Sequence, residues 1–317
     1  MEVVYPDAPV GLDALEYEQK LQPHGLVFCY HEGAVPDTPT YLERLGSARY
    51  MLLGWGISDE VLRAASNLEL VSFTGIGAGN FVNLQLAREL GITVCNTPGY
   101  ADVTVAEHTF ALLLGVAKRV SELGRDVRAG GWSKELEGFD LAGKTIGLVG
   151  FGGIGQHVAR LARAFGMQIL VWTRTPQRYV AHVDRDLTFV SLTELMERSD
   201  VVSLHCAHTP ETEGLLDAPL LRRLKSDAVI INTARGEIVD ESALLQMLQD
   251  KRIRGAGLDV FVNEPLPDTH AWRSLDNVVV TPHTAYNTPG ATARIMEIAL
   301  DNVIAYAQGS PCNVVNK

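Results

Sequence analysis

The sequence predicts an α/β protein made of two doubly wound, parallel-sheet units. Three observations carry this. Strand and helix signals alternate along nearly the whole chain. Residues 144–175, KTIGLVGFGGIGQHVARLARAFGMQILVWTRT, read as strand, glycine turn, helix and strand. The chain has 317 residues, a length that suits two domains.

In chain order, Leu26 to Tyr30, Arg49 to Leu53, Leu70 to Thr74 and Ile92 to Asn96 read as strands. Ser58 is a natural N-cap for a helix over 59–65, and a helix over 84–90 ends before Gly91. Residues 1 to 100 thus form a small doubly wound unit. Within it, Gly75-Ile76-Gly77-Ala78-Gly79 follows a strand; its amides can cradle an anion, and it reads equally as a flexible loop. Asn96-Thr97-Pro98-Gly99 is a turn by composition. Asp102 to Leu123 reads as one long helix, apolar on more than one face, which needs cover from several sides. Residues 128–140 are a polar, glycine-containing connection.

The run 145–149 is the short apolar strand expected when both sheet faces are buried. Gly150, Gly152 and Gly155 follow as G-x-G-x-x-G. Ile154, Val158, Leu161, Ala162 and Phe165 then recur at helical spacing, and Gly166 stands where a helix C-terminal glycine belongs. This is a dinucleotide fingerprint. The first glycine permits the tight turn, the second lets backbone approach a pyrophosphate, and the third lets helix and strand pack closely. The free N–H groups of the helix start face the anion. Beyond 175, Asp200 to His205, Ala228 to Asn232, Ala256 to Val260 and Val278 to Thr281 read as strands. Segments 192–198, 218–224 and 241–250 read as helices, and 288–307 as a last one.

Bulk properties narrow the function. The formal charge is −11 with no basic block, which excludes nucleic acid and anionic membrane surfaces as expected partners. Cys29, Cys95, Cys206 and Cys312 lie far apart without a C-x-x-C pair. That spacing predicts neither a metal site nor a disulfide framework and suits a reducing cytoplasm. The acidic N-terminus lacks the apolar core of a signal peptide, and the longest strongly apolar run, Phe110 to Ala117, is too short to cross a bilayer.

Three charged residues follow consecutive late strands: Arg235 after AVIINTA, Glu264 after AGLDVFVN and His283 after VVVTP. Singly, each reads as a solvated loop charge or a turn. Jointly, they fall outside the carboxyl ends of parallel strands, where ligands of such sheets sit. The trio suits carbonyl reduction. Arginine grips a carboxylate bidentately, histidine gives a proton to a developing alkoxide, and a neighbouring carboxylate favours the charged imidazole. His205 and His208 flank Cys206 but lack a further ligand for a metal. His108 reads as a satisfied core histidine. Of the four tryptophans, only Trp55, ahead of the 75–79 loop, is a candidate substrate contact.

The chain resembles the D-isomer-specific 2-hydroxyacid dehydrogenases over nearly its whole length. The matching segments are GIGAG at 75–79, NTPG at 96–99, VAEH at 105–108 and LAGKTIGLVGFGGIG at 141–155. They continue with NTARGEIVDE at 232–241, GLDVFVNEPLP at 257–267 and TPH at 281–283. The resemblance implies a substrate domain of residues 1–100 plus 288–317, with a dinucleotide domain, 101–287, inserted in it. It implies that Arg235 binds the keto acid, that Glu264 orients His283, and that His283 is the acid/base. It places the substrate carboxylate on Ile76 and Gly77 and the nicotinamide carboxamide on Asp259. The remaining cofactor positions it implies are Thr104, Gly150, Gly152, Gly153, Ile154, Gly155, Thr173, Arg174, Thr175, Cys206, Ala207, Thr212, Thr233 and Ala234. A homodimer is implied too, and the chain, ending soon after its last helix, is expected to carry no appended regulatory domain.

The chain also departs from the family pattern. The acid usual at the end of the second strand is Thr173 here, followed by Arg174, Thr175 and, further on, Arg178. An acid there repels a 2′-phosphate; two cations and a hydroxyl suit one, so NADP is the expected cofactor with NAD the alternative. Asn80 and Asn83 stand in usually acidic places, Ala207 replaces a proline, and Tyr286 stands near a usual glycine. The expected reaction is reduction of a small 2-keto acid such as glyoxylate or hydroxypyruvate, with 3-phosphoglycerate oxidation next. The rival from another class is a dinucleotide-gated binding protein resembling the C-terminal-binding-protein corepressors.

Overall fold

In the computed structural model, which describes residues 1–182 and 186–317, the chain divides into two units. One is Met1–Tyr100 with Thr288–Lys317, the other Ala101–Asn287. The smaller unit carries strands β1 (Glu2–Ala8), β2 (Val27–Glu32), β3 (Tyr50–Leu53), β4 (Leu70–Phe73) and β5 (Thr93–Cys95). They form one parallel sheet in the order β2-β1-β3-β4-β5. Asp37, Ser58, Asn83 and Thr288 each cap a helix by accepting a backbone N–H three residues on. The last helix, Pro289–Ala307, buries Met296, Ala299, Leu300 and Val303 in one core with Val3, Leu52 and Leu70.

The strand pattern read from sequence begins at Leu26; the structure adds β1, and it lies in the sheet interior. Pro6 and Asp7 break its apolar run, and the pairing with β2 shifts between Tyr5 and Ala8. Such a shift accommodates a proline that has no N–H to give. The structure also adds helices Leu15–Leu21 and Thr38–Leu45, too short and polar to stand out in the pattern. At the other edge the C-terminal tail covers β5. Val315 N–H donates to Val94 O, and the Asn316 side chain both accepts from Val94 N and donates to Ile92 O. The β5 edge is thereby paired rather than open.

The larger unit carries β6 (Thr145–Val149), β7 (Gln168–Trp172), β8 (Leu187–Phe189), β9 (Val201–Leu204), β10 (Val229–Asn232), β11 (Gly255–Leu258) and β12 (Val278–Val280). Their order is β12-β11-β10-β9-β6-β7-β8, again parallel. The winding therefore reverses between β6 and β9, the crevice where open α/β sheets bind ligands. Helices 102–117 and 153–164 share one core, with Phe110, Leu113, Val158 and Ala162 buried; Leu195, Leu221, Leu244 and Leu248 build the core of the other face.

The single helix expected over 102–123 is in fact two, Asp102–Ala117 and Val120–Arg128. Arg119, at φ 53°, is left-handed and ends the first. The returning chain fixes the break: Phe139 N–H donates to Ala117 O, and Gly138 comes so close to that carbonyl that a Cβ would collide with it. The first helix buries Ala106, Phe110, Leu112, Leu113 and Ala117 in the core of its own unit. Val103 on it is still 45% exposed, and further exposed apolar residues follow at Val120, Val127 and Trp132.

Candidate active site

The glycine turn follows β6, and its backbone explains each glycine. Gly150 has φ 106°, and a Cβ there would lie 2.6 Å from the His205 carbonyl carbon and 2.7 Å from Cys206 N. Side chains rarely adopt that backbone, and none would fit. A Cβ on Gly152 would meet nothing within 4 Å; it would project into open space where a ligand can approach. Gly153 allows close approach of the Asp102 carboxylate, and Gly155 packs on the Gly150 carbonyl. Gly152 is the helix N-cap and supplies no side-chain acceptor. Among the described residues nothing accepts from the N–H groups of Gly153, Ile154 or Gly155, so these donors await an anion.

A cavity of about 430 Å³ opens beside this turn, at the β6/β9 reversal. Gly150, Gly152, Thr173, Arg174, Thr175, Cys206, Ala207 and Thr212 line it, together with Arg178. Arg174 and Arg178 supply positive charge where β7 ends. Glu211, not singled out by the sequence pattern, lies 3.8 Å from Arg174 Nη1; both side chains are more than half exposed, so solvent weakens the pair. Thr212 is turned into its own loop, donating to Ala207 O at 2.7 Å and accepting from Thr209 N. Burial pushes the Cys206 thiol up to about 11, so it stays neutral. His205 donates its backbone N–H to Val149 O, and its Nε2 pairs with Ser203 Oγ at 2.8 Å. Its Nδ1 is shielded from water, and burial holds the ring down at about 3, hence uncharged.

The three charged residues leave the ends of β10, β11 and β12. Asn232 shapes the first turn: its Oδ1 accepts from Ala234 N and its Nδ2 donates to Arg235 O. Arg235 is half-buried and donates Nη1 to Ala234 O at 2.6 Å. Glu264 Oε1 accepts the Phe261 amide, while Oε2 meets His283 Nδ1 at 2.6 Å. Burial raises the Glu264 carboxyl, but the His283 hydrogen bond, the Phe261 amide and the charges of His283 and Arg235 together hold it below its ordinary value. It is therefore a carboxylate, and His283 Nδ1 is the donor. Among the described residues His283 Nε2 has no hydrogen-bond partner. The Tyr286 ring stands edge-on to the imidazole, with centroids 6.5 Å apart.

His283 itself is left-handed, at φ 49°, an unusual conformation for a residue with a side chain. Asp259 holds it there. The Asp259 carbonyl accepts His283 N–H at 2.8 Å, and its fully buried carboxylate accepts from Thr281 Oγ1, Thr284 N and Ala285 N. Burial opposes that charge, but the bonds from His108, Thr281 and the two amides outweigh it and lower the carboxyl below its ordinary range. His108 is more than a core histidine. Its Nε2 lies 3.0 Å from Thr281 Oγ1 and 3.5 Å from Asp259 Oδ1. Thr281 spends its proton on Asp259, so His108 Nε2 carries one. Thr233 Oγ1 pairs with Thr109 Oγ1 in the interior, and Thr104 is buried on the same helix as His108.

In the smaller unit, the Gly75–Gly77 loop follows β4. Thr97 N and Oγ1 both bond Gly75 O, and Asn96 Nδ2 donates to Ile76 O at 2.8 Å. Among the described residues the N–H groups of Ile76 and Gly77 have no acceptor. Two adjacent free amides make a small anion cradle. In the same unit, Asp7 accepts the Gly54 and Trp55 amides at the β1/β3 reversal, and Trp55 is 64% exposed.

Residues 110–285 match the D-isomer specific 2-hydroxyacid dehydrogenase, NAD binding domain. The chain belongs to the D-isomer-specific 2-hydroxyacid dehydrogenase family. It is 38% identical to a glyoxylate reductase of Korarchaeum cryptofilum, over 94% of this chain and 92% of that one. It is 36% identical to a glycerate dehydrogenase of Methylorubrum extorquens, covering 86% and 87%. A solved acyclic imino acid reductase in complex with NADPH and D-arginine superposes with a TM-score of 0.88 at 31% identity, covering 99% and 100%. This dehydrogenase is accordingly an oxidoreductase acting on the CH–OH group of 2-hydroxy acids with a nicotinamide cofactor. Among the described residues no helix is long and apolar enough to cross a membrane.

Proposed function

We propose that this enzyme reduces a small 2-keto acid of the glyoxylate or hydroxypyruvate type to the D-2-hydroxy acid, with NADPH preferred. The observation that carries the reading is the 2.6 Å pair between His283 Nδ1 and Glu264 Oε2, which leaves Nε2 free. Glu264 fixes the ring by accepting from Nδ1, and Nε2 gives its proton to the alkoxide oxygen as the carbonyl is reduced. Arg235 grips the keto acid through its carboxylate and polarises the carbonyl. By family resemblance, the free Ile76 and Gly77 amides of the smaller unit are carboxylate donors. A bound nicotinamide supplies the hydride.

The residues present fit that cofactor. The free amides of 153–155 suit a pyrophosphate, and the open space over Gly152 leaves room for it. Asp259 Oδ2 accepts one hydrogen bond and is the acceptor for the carboxamide. The 2′-phosphate of NADP goes to Arg174, Thr175 and Arg178, where no acid ends β7. The names of the relatives support the substrate class, one a glyoxylate reductase and one a glycerate dehydrogenase. The dimer expected from family resemblance finds support in Val120, Val127 and Trp132, which are 58%, 52% and 76% exposed within one stretch. Four free thiols are consistent with a reducing cytoplasm. The test is turnover of a 2-keto-acid panel with each reduced cofactor. Reduction of glyoxylate or hydroxypyruvate supports the reading; no turnover of any keto acid favours the binding-protein alternative.

A further inference from the structure

Asn302 is a fully buried polar residue on the last helix, with every hydrogen-bonding position of its side chain used. Its Nδ2 donates to Asn96 O at 2.9 Å and to Ser72 Oγ at 3.2 Å. Its Oδ1 accepts from Asn313 Nδ2 at 2.8 Å and from Cys312 Sγ at 3.3 Å. The amide cannot be turned over: that would set an NH2 against the Asn313 NH2 and an oxygen against the Asn96 carbonyl. The C-terminal tail therefore fixes which way Asn302 points, and Asn302 fixes Asn96.

Asn96 in turn sits directly behind the Gly75–Gly77 loop. Its side chain bonds Ile76 O, and its neighbour Thr97 bonds Gly75 O. In a trans peptide the C=O and the following N–H point in opposite directions. Holding the Gly75 carbonyl from behind turns the Ile76 N–H forward. Holding the Ile76 carbonyl turns the Gly77 N–H forward. The two free donors of the anion cradle are thus aimed by bonds made on their far side.

We propose that Asn302 is a positioning residue for keto-acid binding, acting through Asn96 to aim the Ile76 and Gly77 amides. The proposal rests on the reading that these amides hold the substrate carboxylate. Asn302 touches neither substrate nor cofactor; it makes the geometry of the cradle depend on the last helix and on the tail residues 312–313. Its loss should be felt in keto-acid affinity and not in cofactor affinity, because the glycine turn belongs to the other unit.

The test compares glyoxylate KM, kcat and the dissociation constant of NADPH in the full-length enzyme and its variants. Asn302→Leu is expected to raise KM about tenfold, the worth of roughly one well-aimed hydrogen bond. Both kcat and the NADPH constant should stay within about twofold of wild type. Ser72→Ala removes a bond from the same hub without touching the route to the loop, and its KM should match wild type. If Asn302→Leu does not fold, Asn313→Ala, which frees the Asn302 amide to turn, should raise KM severalfold. An unchanged KM in folded Asn302→Leu, or in Asn313→Ala where that variant is needed, overturns the proposal. So does a Ser72→Ala defect as large as that of Asn302→Leu. Gly77→Pro separates the two layers, since Gly77 has φ −85° and proline there removes the N–H itself. If Gly77→Pro leaves KM unchanged, the carboxylate reading itself fails. If Gly77→Pro raises it and Asn302→Leu does not, only the role of Asn302 fails.

Discussion

The Asp259 carbonyl accepts the backbone N–H of His283 at 2.8 Å, and the carboxylate of the same aspartate holds the three residues around it. One buried side chain therefore fixes the left-handed residue that carries the free imidazole nitrogen. Asp259→Asn places an NH2 among groups that all donate, so at least one buried donor loses its acceptor. The expected cost is about 1–3 kcal/mol in urea unfolding, with a lower kcat. The sign of the pH effect follows from the lowered carboxyl. The Asp259 contribution is complete above the unfolded carboxyl range and is lost as pH falls through the folded value. Asp259→Asn with wild-type stability and kcat would show that the loop is held by other groups.

His205 makes the opposite kind of pH term. Folded, it stays neutral down to about 3; unfolded, it takes up a proton near its ordinary 6.5. The unfolded chain thus binds the extra proton, and stability falls as pH drops from about 6.5 toward 3. The slope approaches at most about 1.4 kcal/mol per pH unit. His205→Gln keeps a polar group beside Ser203 but does not titrate. Wild type should therefore lose stability relative to this variant between pH 7 and pH 5. Parallel stability curves would contradict the buried neutral ring.

The proposed cofactor preference rests on the end of β7. NADPH should be used about tenfold or more efficiently than NADH, ~1.4 kcal/mol in the specificity ratio. Arg174→Ala should erase most of the gap. Glu211→Gln, which removes the facing carboxylate, should widen it. Equal efficiency with the two cofactors, measured under identical conditions, would refute the preference.

The apolar stretch at Val120, Val127 and Trp132 predicts self-association. Sedimentation at micromolar concentration should show a dimer, and Trp132→Glu should shift it toward monomer. A wild-type monomer at that concentration would remove the dimer.

Much of this was legible in the sequence because it is local and periodic. The unit 144–175 announces itself through spaced glycines, a helical stripe and two apolar strands, and the structure keeps each of those parts. Arg235, Glu264 and His283 stood out because the ends of parallel strands share one edge. What escaped depends on contacts distant in sequence. The interior strand β1 is masked by Pro6, whose cost is absorbed by a register shift that only the partner strand reveals. The break at Arg119 has no glycine or asparagine to mark it, because the returning Phe139 and Gly138 impose it. Asn302 looks like an ordinary polar residue on a helix, and the sequence marks Asp259 for the cofactor without showing its hold on the His283 loop. Their importance lies in partners up to 230 positions away, as with Asn302 and Ser72.

The most direct test of proton delivery is the turnover of His283→Ala with glyoxylate and NADPH, beside its affinity for NADPH measured by fluorescence. Turnover should fall by about two to four orders of magnitude, the worth of a positioned acid/base, while cofactor affinity stays at the wild-type value. Near-native turnover in His283→Ala would contradict the assignment of His283 as the proton donor.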